Sequence, residues 1–132
     1  MNKKIFIIAT MIFTLFMGLQ ILSTTEAYHY PESRNNGKYV WAGRMNDYGC
    51  YVDTTSFYVT ENSNSYKDWS QIVLLYDNDN LVKSVTQTFH WDSQYGACVG
   101  GKGIRPIKDQ YSDLMTQFRT GWKYAFGYDF VN

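Results

Sequence analysis

From Tyr28 onward the chain carries more aromatic rings than branched aliphatic side chains. All 12 Tyr and all 4 Trp fall there, with Phe57, Phe89, Phe118, Phe126 and Phe130, against only 15 Val, Ile and Leu. A core must therefore be assembled largely from rings, which bury much area at small entropy cost and suit the pleated surface of strands. Tyr and Trp also bring a polar atom to satisfy, so many are expected half-buried with the tip in water. A β-rich fold is the first expectation.

The 132 residues allow one domain. Met1–Lys4 is a short basic start, Ile5–Leu22 is an apolar stretch of 18 residues, and Thr25 and Ala27 give the small-x-small pattern of a cleavage site. Residues 1–27 are expected to be a signal peptide, 28–37 a flexible arm, and 38–132 a single exported domain. The apolar run also reaches the lower length for a membrane span, so a retained anchor is the alternative. No Cys directly follows it, which argues against a lipoprotein.

Of 12 basic and 12 acidic side chains, Lys3, Lys4 and Glu26 precede Tyr28, leaving the rest of the chain a net charge of −1. Such a surface has no counterion-release drive toward nucleic acid and no polybasic attraction to anionic lipid. In an oxidising compartment, two thiols in one small domain usually pair. A Cys50–Cys98 disulfide is therefore expected, worth about 4 kcal/mol in the chain-entropy model. A free reactive thiol is the alternative.

Lys38–Arg44, Cys50–Asp53 and Phe57–Thr60 read as strands, and Glu61–Asp68 as an exposed loop. Trp69–Tyr76 and Leu81–Trp91, separated by Asp77–Asn80, read as an antiparallel hairpin. Ala97–Val99 reads as a short strand holding the second cysteine. Tyr111, Leu114, Met115, Phe118 and Trp122 share one helical face, with Asp109 or Ser112 as start and Gly121 as end. The alternation Trp122, Tyr124, Phe126, Tyr128, Phe130 predicts a last strand. The sum is an α+β domain: an antiparallel sheet of about five to six strands with one C-terminal helix on one face.

With Trp41 on a first strand, the step Tyr51-Val52-Asp53-Thr54-Thr55-Ser56 and the Trp-bearing strand Trp69–Tyr76, the chain resembles the small secreted domains related to the bacterial surface adhesin protein E. The resemblance covers Tyr39 to Tyr76. It implies an antiparallel sheet paired with helix, and adhesion to host or matrix components rather than catalysis. Adhesion in that family is associated with basic surface segments that have no counterpart here, so no binding residue is carried over. The Asp53–Ser56 step also has a local reading, as side chains satisfying backbone N–H groups at a strand end.

His90 and Asp92 are two apart on a strand and so face one way. A carboxylate beside an imidazole could orient a general base, with Cys50, Cys98 or Ser112 as nucleophile, in a small secreted hydrolase. A ribonuclease would need Glu32 or Glu61 near the cations Lys102, Arg105 and Lys108. Gly100–Gly103 lacks phosphate-loop spacing, Asp77–Asn80 lacks the Gly and distal Glu of a calcium loop, and the Cys and His positions lack zinc-ligand spacing. No cofactor or metal is implied.

One helix covers one sheet face, so rings on the other face would offer a platform to a partner. Trp41, Tyr51, Trp69 and Trp91 are the candidates. The sequence thus points to an exported, non-enzymatic domain, secreted, periplasmic or on the cell surface. It is expected to bind an extracellular or envelope protein or a glycan, with no nucleic acid and no membrane insertion after cleavage. The hydrolase and a structural part in an envelope assembly are the alternatives.

Overall fold

The computed structural model describes residues 30–131, so the signal peptide expected over 1–27 and the first residues of the arm lie outside it. Glu32–Asn132 is one compact unit. Its elements are β1 (Ser33–Arg34), β2 (Tyr39–Met45), β3 (Tyr48–Asp53), β4 (Tyr58–Asn62), β5 (Tyr66–Asp77), β6 (Asn80–Asp92), β7 (Gly96–Val99), β8 (Arg105–Pro106) and α1 (Asp113–Phe126). The sheet is antiparallel throughout, in the order β1-β2-β3-β5-β6-β7-β8, with β4 also paired to β5. The α+β class stands. The eight strands exceed the expected five to six, because β1 and β8 are two-residue pairings too short to leave a periodic signal.

Strands β3 and β4 lie end to end along one edge of β5, facing Val73–Tyr76 and Lys67–Ser70 respectively. Between them the chain jogs at Asp53–Ser56. Asp53 Oδ1 accepts from the Thr55 amide and hydroxyl, and Ser56 Oγ fills the gap by accepting from the Ile72 amide at 2.9 Å. Small polar side chains thus replace ladder bonds where the edge is broken. The expected loop Glu61–Asp68 is mostly strand, its turn confined to three residues in which Ser63 Oγ accepts from the amides of Ser65 and Tyr66.

Odd-numbered β5 residues from Trp69 to Leu75 face the helix. Trp69, Phe89, Phe118 and Trp122 form the ring-built core, with Phe126 and Phe130 packed against it at 4.9–5.3 Å between centroids. Ser112 caps α1 by accepting from the Met115 amide, and Gly127, left-handed at φ 90°, ends it. The expected end at Gly121 is overturned: Gly121 lies inside the helix, and the position excludes a larger residue because a Cβ there would stand 1.9 Å from Gln71 Oε1. Gln71 accepts from Trp69 Nε1 and donates to Gln87 Oε1 and the Gln117 carbonyl, a buried polar seam between sheet and helix.

Three further expectations fail. The last strand is absent because an alternating run also contains i, i+4 pairs: Trp122 and Phe126 turn inward on α1 while Tyr124 turns out. Tyr111 precedes the cap and is 96% exposed. The described part of the arm is not free either. β1 pairs with β2, and the Arg34 guanidinium lies over the rings of Tyr51 and Tyr76 at 4.8 and 4.2 Å. Its Nη2 donates to the Asn78 carbonyl at the β5–β6 turn.

Candidate functional site

Directly paired residues in a sheet point the same way, so register assigns each side chain to a face. Asp68 pairs with His90, and His90 with Cys98. All three lie on the face away from the helix. Cys50 pairs with Leu75, on the helix face. The expected Cys50–Cys98 disulfide is therefore overturned: both thiols are free. They sit on opposite faces, three strand spacings or about 14 Å apart across the sheet and a further seven residues or about 23 Å apart along it, where a disulfide tolerates at most about 7 Å between Cα atoms. Burial, with Asp113 adding, pushes the Cys50 thiol up to about 12. Burial and then Asp92 raise that of Cys98.

On the open face the sheet holds a carboxylate–imidazole–carboxylate clamp. His90 Nδ1 bonds Asp68 Oδ1 at 2.7 Å and its Nε2 bonds Asp92 Oδ2 at 2.8 Å, with His90 only 3% exposed. An imidazole donates to two acceptors at once only as the doubly protonated cation. Burial opposes that charge, but the bonds to Asp68 and Asp92 outweigh it, and the His90 pKa is raised. For Asp92, burial favours the neutral acid, yet the Tyr95 amide, His90 and the Gln94 amide together hold the carboxyl below its ordinary value. Asp92 thereby fastens the β6–β7 turn to the clamp.

This chemistry bears on the catalytic alternatives. His90 and Asp92 do share a face, and Cys98 lies beside them. With both ring nitrogens engaged by carboxylates, His90 presents neither of them to a substrate, and the neighbouring thiol, which donates to the Gly96 carbonyl, is held protonated. Ser112 spends its hydroxyl on the helix cap, on the other side of the sheet. Glu61 on β4 and Arg105 on β8 are separated by β5, β6 and β7, about 19 Å at the usual strand spacing. Glu32, Lys102 and Lys108 are exposed. Among the described residues no group of three or more His, Cys, Asp or Glu side chains could hold a metal ion.

Of the four aromatic candidates, Tyr51 and Trp69 are fully buried and present nothing to a partner. Trp41 and Trp91 are half-buried on opposite faces. Among the described residues the exposed rings are all tyrosines, and several gather at one end of the open face. Tyr66, 54% exposed, stands 6.1 Å from His90, and Tyr58 faces the same way through its pairing with Ser70. Tyr95, in the adjoining turn, and exposed Ile104 border a cavity of 240 Å³ lined also by Asp92 and Pro106. Among the described residues no helix is long and apolar enough to cross a membrane.

Sequence reasoning missed Asp68, the second half of the clamp. The turn Asn78-Asp79 pairs Asp77 with Asn80 and Tyr76 with Leu81, a register that would carry on to set Asp68 against Phe89. One extra residue, Val82, shifts it so that Asp68 meets His90. No local signal marks such a bulge. Comparisons with known protein families, curated proteins and solved structures find no match to the chain.

Proposed function

We propose that this chain is an exported, non-enzymatic binding domain that recognises a protein or glycan partner through the tyrosine-rich end of its open sheet face. The observation that carries this reading is the pair of exposed residues Tyr95 and Ile104 at the 240 Å³ cavity that Asp92 lines, with exposed Tyr66 set opposite Asp92 on the neighbouring strand. Tyrosine offers a partner wide contact area and a hydroxyl at low entropy cost. The clamp beneath fixes these rings: Asp68 and Asp92 hold β5, β6 and the β6–β7 turn at one point. A preformed aromatic surface loses little in ordering when a ligand arrives. The resemblance to adhesin-related domains agrees with this reading but adds no residue to it.

The test screens the mature domain on a glycan array and on a panel of purified extracellular-matrix proteins. Binders are then measured against Tyr66→Ala, Tyr95→Ala and, as a surface control, Tyr111→Ala. The expected result is a binder that weakens at least about tenfold, or 1.4 kcal/mol, with each of the first two substitutions and not with the third. A binder indifferent to both, or turnover of an ester, peptide or RNA substrate that survives purification and falls with His90→Gln, would overturn the proposal.

A further inference from the structure

The two long strands have different outer edges. β5 is lined along its outer edge by β3 and β4, but β6 is lined only by β7, which pairs with Phe89–Asp92. The Gly100 amide donates to the Thr88 carbonyl, so even-numbered β6 residues turn their backbone groups outward. Ser84 and Thr86 therefore present N–H and C=O groups along an edge to which, among the described residues, no strand is paired. Leu81 and Val82 add exposed apolar surface at 56% and 45%. Where this open half meets β7, a cavity of 430 Å³ is lined by Thr86, Gln87, Phe89, Val99, Leu114 and Arg105, among others.

We propose that β6 between Val82 and Gln87 is a strand-addition site for an extended, acidic segment of a partner protein, lying end to end with β7 and placing one apolar side chain in the 430 Å³ cavity. Outward backbone groups recognise an extended backbone, and the cavity beside Phe89, Val99 and Leu114 recognises an apolar side chain. Charge selects the occupant. Lys83 is exposed on the open strand and Arg105 is exposed at the cavity. An edge lysine guards a sheet against its own copies, since an antiparallel second molecule would bring two Lys83 side chains onto adjoining strands. Toward a carboxylate-bearing segment the same lysine attracts. The site is separate from the tyrosine surface and stands or falls without it.

The probe is a fluorescein-labelled ten-residue peptide of alternating Val and Thr carrying one Leu and two Glu, titrated into the full domain and followed by anisotropy and by amide hydrogen exchange. The expected result is binding with new protection at the Ser84 and Thr86 amides. It weakens at least about tenfold, or 1.4 kcal/mol, when the Glu residues are replaced by Lys or when Lys83→Glu reverses the edge charge. Thr86→Pro removes an outward N–H without touching the β5 ladder, so it abolishes binding while the fold persists. Ser84→Pro serves if that variant unfolds. Tyr66→Ala and Tyr95→Ala leave peptide binding unchanged, which separates this proposal from the preceding one. Binding indifferent to proline and charge reversal, absence of binding, or a concentration-dependent dimer that protects these amides without peptide would each overturn it.

Discussion

Gly121→Ala offers a test in which helix propensity and packing predict opposite signs. In an exposed helix interior, Ala in place of Gly stabilises by about 1 kcal/mol. Here the new Cβ would stand 1.9 Å from Gln71 Oε1 and 2.9 Å from Trp69 Nε1. Gln71 must move, and its three bonds, to Trp69 Nε1, Gln87 Oε1 and the Gln117 carbonyl, all lie in the seam between sheet and helix. Each buried polar group left without a partner costs about 1–3 kcal/mol, and overpacking adds about 1–3. Set against the propensity gain, the expected net loss is about 2–4 kcal/mol, a fall in Tm of roughly 10–25 °C for a domain of this size. Urea unfolding followed by tryptophan fluorescence measures it. In a Gln71→Ala background the cost of Gly121→Ala should shrink by at least about 1 kcal/mol, since the displaced group is gone. A single variant as stable as the parent, or additive behaviour in the double variant, would refute the argument.

The clamp makes stability depend on pH in a definite direction. Because the His90 pKa is raised by folding, its contribution is complete below the unfolded value near 6.5 and is lost as pH rises through the folded pKa. Asp92, lowered by folding, contributes above about 4 and loses its share as pH falls through its folded pKa. Urea midpoints at pH 6 and pH 9 should therefore differ in the parent and converge in His90→Gln; equal slopes in both would contradict the clamp. For the thiols, alkylation without reductant should be slow in the native state and complete at both cysteines in urea, and dithiothreitol should leave Tm unchanged. A bridged fraction in the purified protein would contradict the opposite-face placement. Arg34→Ala should cost about 1–2 kcal/mol, from two cation–π contacts and the bond to the Asn78 carbonyl. The ion pair to 80%-exposed Asp79 adds little. Arg34→Lys should recover less than half, because an ammonium cannot lie flat on both rings; full recovery would point to charge alone.

Local chemistry was legible in the residues. The ring surplus set the nature of the core, turn-formers marked the long hairpin, and the spacing of Leu114, Met115, Phe118 and Trp122 placed the inward face of α1. Ser112 and the Asp53–Ser56 step could be read because capping and side-chain turns act within three or four residues. What the sequence could not determine rests on register and packing across the sheet. A single bulged residue, Val82, turns Phe89 to the helix and His90 to Asp68, since one step of register reverses every side chain beyond it. The same geometry put Cys50 and Cys98 on opposite faces, where nearness in composition and compartment had suggested a bond. Gly121 marked an end by propensity and became a contact by tertiary approach, because the side chain that needs its missing Cβ comes from Gln71, fifty residues earlier in the chain.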